Sequence, residues 1–170
     1  MTMWKGDRSL EVLTLGLEGE IFALEAGCVR EILDLVPITK VPGAYPFVNG
    51  LINVRGKVVP LADLRPRFGM EQKPSTIDTR IVVIEVAIEG SPVIVGLRAD
   101  RVHEITQISA SSLEDTPRIG MRWRPEYVLC VGKRGADFIV VLDVERIFSA
   151  SDVPAAPGPR GTTQVSPPCA

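Results

Sequence analysis

Histidine is almost missing from this 170-residue sequence; His103 is the single copy. A metal centre or an imidazole-activated nucleophile would have to be built around that one side chain. Cysteine is scarce too. Cys28, Cys130 and Cys169 are odd in number, far apart and without a C-x-x-C pair, which disfavours both a disulfide framework and a zinc site and points to a cytoplasmic compartment. Aromatic residues make up 5%, too few for a platform that stacks nucleic-acid bases. Neither sign of charge dominates. Nineteen Lys and Arg against 21 Asp and Glu leave a net charge of -2, whereas a nucleic-acid or anionic-membrane surface needs a basic excess. Long apolar runs are absent as well. The longest aliphatic or aromatic one is Phe138-Ile139-Val140-Val141-Leu142, far short of the roughly 20 residues that cross a bilayer, so no direct membrane insertion is expected. The opening residues, Met1-Thr2-Met3-Trp4-Lys5-Gly6-Asp7-Arg8, hold no apolar stretch of the kind a secretory signal needs. There is no G-x-G-x-x-G, Walker A or G-x-S-x-G pattern, so no cofactor is implied and hydrolysis or group transfer has no motif to rest on.

What is present is the material of a folded domain: 45% hydrophobic and 24% charged residues. The length fits one domain or two small halves, and a chain this long buries about 70% of its unfolded surface. After a polar leader at 1–9, short β-type runs alternate with turn residues. Residues 12–17 and 21–24 flank Glu18-Gly19-Glu20 and read as a hairpin; 51–54 and 58–61 flank Arg55-Gly56-Lys57 and read as another. Residues 29–35 form an extended stretch, and Thr39 to Pro46 a Pro/Gly connection. Strand-like segments follow at 81–88, 93–97, 101–108, 127–131 and 138–142, after a linker at 70–78. Asp63 and Asp143 are placed to cap short helical turns, the first stopping near Gly69 and the second forming a terminal helix over 143–149. Residues 109–125 have no clear pattern, and from 150 to 170 the chain is a Pro/Gly-rich tail of the composition that stays disordered.

Three landmarks recur in order. Glu18-Gly19 returns as Glu89-Gly90. Val29-Arg30-Glu31-Ile32 returns as Val102-His103-Glu104-Ile105. Arg55-Gly56 with Asp63-Leu64 returns as Arg134-Gly135 with Asp143-Val144. The offsets run from 71 to 80 positions. Two such units are too few for a solenoid and fit two similar small β-barrels sharing one core. Of the residues that could carry chemistry, His103 lies in a β-run and reads as a solvated strand residue. Cys28 and Cys130 read as small core residues, and Glu31 and Asp63 as surface carboxylates. The rival reading is a small β-barrel enzyme using Glu31, Asp63 or His103, which would require a deep pocket with perturbed carboxylates. Otherwise the exposed edges and the groove between two barrels are surfaces for other proteins.

The run Leu51-Ile52-Asn53-Val54-Arg55-Gly56-Lys57-Val58-Val59-Pro60-Leu61-Ala62-Asp63-Leu64 resembles the CheW family of bacterial chemotaxis coupling proteins. Val29-Arg30-Glu31-Ile32, Pro46-Phe47-Val48-Asn49-Gly50, Ala99-Asp100-Arg101-Val102 and Phe138-Ile139-Val140-Val141-Leu142-Asp143 support the likeness, which spans about residues 10 to 149. The resemblance implies a mainly β fold of two SH3-like, five-stranded barrels around a shared hydrophobic core, with short helices; we place subdomain one at about 10–69 and subdomain two at about 78–142. It also implies a non-catalytic adaptor in the cytoplasm, recruited to membrane receptor arrays. There it would couple chemoreceptor cytoplasmic tips to the regulatory domain of a CheA-type histidine kinase; the same scaffold can serve motility or developmental pathways. By position, the resemblance makes Val29, Glu31, Gly50, Arg55 and Ile105 candidates for partner contact. Val29 and Ile105 would be apolar anchors for a receptor helix, Gly50 a close backbone approach, and Glu31 and Arg55 the charges that fix orientation. Their plain alternatives are core packing for the two aliphatics, a hairpin-turn arginine and a turn glycine. The chain departs from the family pattern at Ala62, where a larger aliphatic is usual, at Cys130, where glycine is common, and around Met121-Arg122-Trp123-Arg124.

Overall fold

The computed structural model describes residues 9–41, 48–114 and 125–149. The leader through residue 8, the connection at 42–47, residues 115–124 of the patternless stretch and the 150–170 tail lie outside the described residues. Eleven strands occur among the described residues: β1 (Leu10–Leu17), β2 (Glu20–Glu25), β3 (Val29–Asp34), β4 (Val48–Val54), β5 (Lys57–Ala62), β6 (Arg80–Ile88), β7 (Ser91–Ala99), β8 (Arg101–Ile108), β9 (Leu113–Glu114), β10 (Val128–Arg134) and β11 (Asp137–Leu142). One helix, α1 (Val144–Ser149), closes the described chain. The expected hairpins form. Glu18-Gly19, Arg55-Gly56 and Glu89-Gly90 each place both residues at positive φ, between 49° and 84°, the two-residue turn whose twist matches the strands it joins.

The strands curl into two sheets, ordered β3-β6-β7-β5-β4 and β8-β1-β2-β11-β10-β9. The second is five-stranded but for the two-residue β9. The two orders are the same order twice: β8, β1, β2, β11 and β10 stand where β3, β6, β7, β5 and β4 stand. Each sheet contains one short parallel contact, β5 with β7 through Leu61 and Ala62 and β11 with β2 through Val140 and Val141. Each carries a bulge at the same place in its second hairpin, between Val48 and Gly50 and between Val128 and Cys130.

This topology corrects the expected division at about 10–69 and 78–142. The first barrel is the contiguous stretch from β3 to β7. The second is completed by the N-terminal hairpin, because β1 pairs with β8 and β2 with β11. The repeat is real but circular in sequence. The turns of the second hairpins also fall one residue out of the expected alignment: Val54 opposite Lys57 leaves Arg55-Gly56 as the turn, whereas Arg134 opposite Asp137 leaves Gly135-Ala136.

Three cores follow from strand alternation. In β1, Val12 faces a core inside the second barrel, while Leu13, Leu15 and Leu17 face the core between barrels. In β6, Ile81 and Val83 face the interior of the first barrel, while Val82, Ile84 and Val86 join the same shared core. Both strands are therefore apolar on both faces, as a strand buried between two layers must be. Phe22 from the second barrel and Phe68 from the first stack in the shared core with ring centroids 5.4 Å apart. Pro60 is tolerated inside β5 because that strand meets β7 only at Leu61 and Ala62, so at Pro60 no second ladder asks for an N–H. The turn expected near Gly69 is a 3-10 turn, Pro66–Phe68, ended by Gly69 at φ 71°. Asp143 caps α1 as expected, accepting the Arg146 N–H at 3.1 Å.

A candidate partner-binding surface

Four of the five candidate residues sit on edge strands or hairpin tips, and Gly50 sits beside the antiparallel bridge between Thr39 and Leu51. Glu31 lies on β3, at one edge of the first sheet; Arg55 lies in the turn between β5 and β4, the opposite edge strand. Arg55 donates from Nε to Glu31 Oε2 at 3.1 Å and from its terminal nitrogen to Oε1 at 3.2 Å. The fork is set by the left-handed turn, with Arg55 at φ 53° and Asn53 Oδ1 accepting the Gly56 N–H at 2.8 Å. The hydrogen bond from Arg55 to Glu31, and then the carboxylate's charge, hold the guanidinium more firmly protonated than a free arginine. The second barrel repeats the pair: Glu104 on β8 bonds Arg134 at the end of β10.

Val29 is half-buried and packs against the shared core. Ile105 is 59% exposed on the edge strand β8. They are not counterparts. The residue equivalent to Ile105 is Ile32 on β3, which is 43% exposed and which the sequence reading passed over. The signal for it was the echo itself, since Ile32 closes the first Val-x-Glu-Ile as Ile105 closes the second. Gly50 is buried, and a Cβ there would lie 2.3 Å from the Thr39 carbonyl oxygen. The close approach expected of this glycine is therefore to the chain's own segment, where Thr39 and Leu51 exchange hydrogen bonds of 2.9 and 2.8 Å.

An open groove of about 510 Å³ runs between the barrels, lined by Ile32, Asp78, Arg80, Arg101 and Val102. Its cations have partners within the chain: Arg80 pairs with Asp34 at 3.3 Å and Arg101 with Asp78 at 2.5 Å. A second recess of about 350 Å³ lies by Cys28, Arg30 and Glu85, and a smaller one of about 60 Å³ is bounded by Cys28, Asp143 and Glu145.

The carboxylates of the enzyme alternative are each held by a different arginine, Glu31 by Arg55 and Asp63 by Arg65. Burial by itself would raise the Asp63 carboxyl, but hydrogen bonds from the Arg65 side chain and backbone outweigh it and hold the group below the ordinary carboxylate range. Around this pair a balanced network forms. Arg65 lies 3.8 Å from Glu18 and 3.7 Å from Asp100, Arg98 donates to Asp100 at 2.8 Å, and Lys73 pairs with Glu18 at 3.0 Å. Arg65 and Arg98 both donate to the Lys73 carbonyl, at 3.0 and 3.3 Å. The network ties the Glu18 hairpin of the second barrel to the end of β5 and β7 of the first, which is a structural arrangement. His103 is exposed on β8. Burial, with the charge of Glu25 added, pushes the Cys28 thiol up to about 11, the opposite of what a nucleophile needs. Burial also raises the Asp143 carboxyl, which is engaged as the α1 cap. Among the described residues no group of three or more His, Cys, Asp or Glu is arranged to hold a metal ion, and no helix is long and apolar enough to cross a membrane.

Comparison with known proteins agrees with this architecture. The chain is 31% identical over 155 residues to the probable chemotaxis protein CheW of Rhizobium etli, covering 89% of this chain and 94% of that one. It is 24% identical over 143 residues to the chemotaxis protein CheW of Klebsiella aerogenes, covering 84% of each. The crystal structure of the scaffolding protein TtCheW from Thermoanaerobacter tengcongensis superposes with a TM-score of 0.74 at 30% identity, covering 84% of this chain and 94% of that one. The family model for the CheW-like domain matches residues 11–152, the span that holds both barrels, and the chain belongs to the CheW-like family.

Proposed function

We propose that this protein is a non-catalytic chemotaxis adaptor that couples chemoreceptor cytoplasmic tips to the regulatory domain of a CheA-type histidine kinase. In this reading it works in the cytoplasm and is recruited to receptor arrays at the membrane. The observation that carries it is the family match across residues 11–152. The physical form of the site supports it. The groove between barrels is open and lined by the aliphatics Ile32 and Val102 together with charged residues paired within the chain, a form that can seat a helix.

Ile32 in that groove and the exposed Ile105 on the edge strand β8 are the apolar anchors, and Val29 supports β3 from the core side. The Arg55–Glu31 fork presents charge at a hairpin tip of the first barrel and fixes orientation. Gly50 acts indirectly, by letting the segment at Thr39 pair closely with β4 at Leu51. The similar ends of the two barrels suit barrel-to-barrel contact with a kinase domain of like fold, and head-to-tail contacts of that kind close into rings when the rotation permits.

The test is co-sedimentation of the protein with a CheA-type kinase and receptor-containing membranes. Wild type should sediment with both. Ile105→Lys should lose the receptor while remaining folded, since the side chain lies outside the core. Failure of wild-type protein to join either partner defeats the reading, as does turnover of a substrate by the protein alone.

A further inference from the structure

Thr14 is fully buried in the middle of β1. Its chain neighbours Leu13 and Leu15 face the core between barrels, so alternation turns Thr14 the other way, toward the inside of the second barrel, as it does Val12. The first barrel supplies a control within the same chain. Leu13 stands opposite Ile105 and Leu15 opposite Val102; Val82 stands opposite Ile32 and Ile84 opposite Val29. The counterpart of Thr14 is therefore Val83, an apolar member of the first barrel's interior. Threonine and valine have nearly the same shape, and what separates them is a hydroxyl. Buried, that hydroxyl costs free energy unless it is bonded.

Its partner is the backbone of the edge strand β8. Thr14 Oγ1 donates to the Glu104 carbonyl at 3.0 Å and accepts the Glu104 N–H at 3.2 Å. Both edge strands bulge at this level. Arg30 and Glu31 face Val83 in the first barrel, and His103 and Glu104 face Thr14 in the second. Glu31 keeps a direct pairing with Val83. In the second barrel the register steps from Ile105 to Val102 without Glu104, and the threonine hydroxyl takes the place of the backbone ladder. A bulge re-aims the side chains around it. Here those are Glu104, which goes on to pair with Arg134, and Ile105, which is more exposed than its counterpart Ile32.

We propose that Thr14 is a positioning residue for partner contact. Its hydroxyl fixes the Glu104 backbone, and with it the aim of Ile105 and of the Glu104–Arg134 pair, so that the contact edge of the second barrel differs from that of the first. Thr14 itself touches no partner. The proposal rests on the adaptor reading above, in which Ile105 is an anchor. The experiment titrates a soluble cytoplasmic fragment of a chemoreceptor from the same cell into the full chain, with affinity read by calorimetry and the β8 edge by amide NMR. Wild type, Thr14→Val, Thr14→Ser and Ile105→Lys are compared, with melting curves for each. Thr14→Val should move the Glu104 and Ile105 amide signals and weaken the complex about tenfold. Thr14→Ser keeps the hydroxyl and should bind within about twofold of wild type, although its lost methyl lowers the melting temperature. A merely structural role would not separate affinity from stability in this way. If Thr14→Val does not fold, Thr14→Ala against Thr14→Ser reads the same contrast, since both lack the methyl and only serine keeps the hydroxyl. Wild-type affinity in Thr14→Val, with Ile105→Lys defective, overturns the proposal and leaves the adaptor reading standing. Affinity losses in the valine and serine variants that simply follow their melting temperatures overturn it too, as does unchanged binding by Ile105→Lys. If wild type does not bind the fragment, the adaptor reading fails and takes the proposal with it.

Discussion

Arg55 grips Glu31 across the opening between the two edge strands of the first sheet, with two hydrogen bonds of 3.1 and 3.2 Å. β3 and β4 are at opposite ends of the strand order, so no backbone ladder joins them and the ion pair spans the gap. Glu104 and Arg134 do the same for the second barrel. Arg55→Ala should therefore leave the protein folded with a small change in denaturation midpoint, because the pair is exposed. It should speed amide exchange along β3, and the swapped pair Glu31→Arg with Arg55→Glu should restore much of the protection. Hydrogen exchange read by mass spectrometry checks both.

Gly50→Ala should be costly despite its small size. The added methyl meets the Thr39 carbonyl oxygen at 2.3 Å, so the bridge between Thr39 and Leu51 must shift. A loss of more than about 1 kcal/mol in urea unfolding is expected. The equivalent position in the second barrel already holds Cys130, buried in that barrel's core.

Arg65→Met should cost about 3–5 kcal/mol, because it strands the buried Asp63 carboxylate without its main partner. In the wild type the folded Asp63 titrates below its unfolded value of about 3.9. Its contribution is complete above that value and is lost as the pH falls through the lower, folded pKa. Urea midpoints measured from pH 7 down to pH 2 should show this acid-side loss in the wild type and a weaker one in Asp63→Leu combined with Arg65→Met.

Asp143 runs the other way. Burial raises its folded pKa, so its contribution is complete below the unfolded value and is lost as the pH rises through the folded one. Asp143→Asn keeps an oxygen to accept the Arg146 N–H and removes the buried charge. Its stability relative to wild type should increase between pH 3 and pH 7, measured by urea unfolding at each pH.

Cys28 should react slowly with iodoacetamide. With its thiol at about 11, about one molecule in a thousand carries the thiolate at pH 8. In a Cys169→Ser background the alkylation rate should rise roughly tenfold for each pH unit up to about 10, as mass spectrometry of the tryptic peptide would show.

Much of this fold is written locally. The Glu18-Gly19, Arg55-Gly56 and Glu89-Gly90 turns mark three hairpins because two successive left-handed residues suit few other places in a sheet. The echo of Val29-Arg30-Glu31-Ile32 in Val102-His103-Glu104-Ile105 marks the duplication. The assignment of β1 and β2 to the second barrel was not legible, because a strand apolar on both faces fits either sheet equally. The parallel contacts that decide the matter involve only two residue pairs each, too few to leave a pattern. At the site, Glu31 and Arg55 were picked out separately as charges. Their bonding to each other depends on the curl of the sheet, which no spacing in the chain encodes.

The N-terminal hairpin has a consequence for synthesis. The first barrel is one continuous stretch from Val29 to Ala99 and can close as soon as it leaves the ribosome. Residues 10–25, made earlier, have their own sheet partners in β8 and β11, the latter ending at Leu142. This early-made hairpin is thus among the last elements to find its place, and a nascent chain stalled before β11 would leave β2 without its parallel neighbour, a point where translation pausing or a chaperone would have most effect.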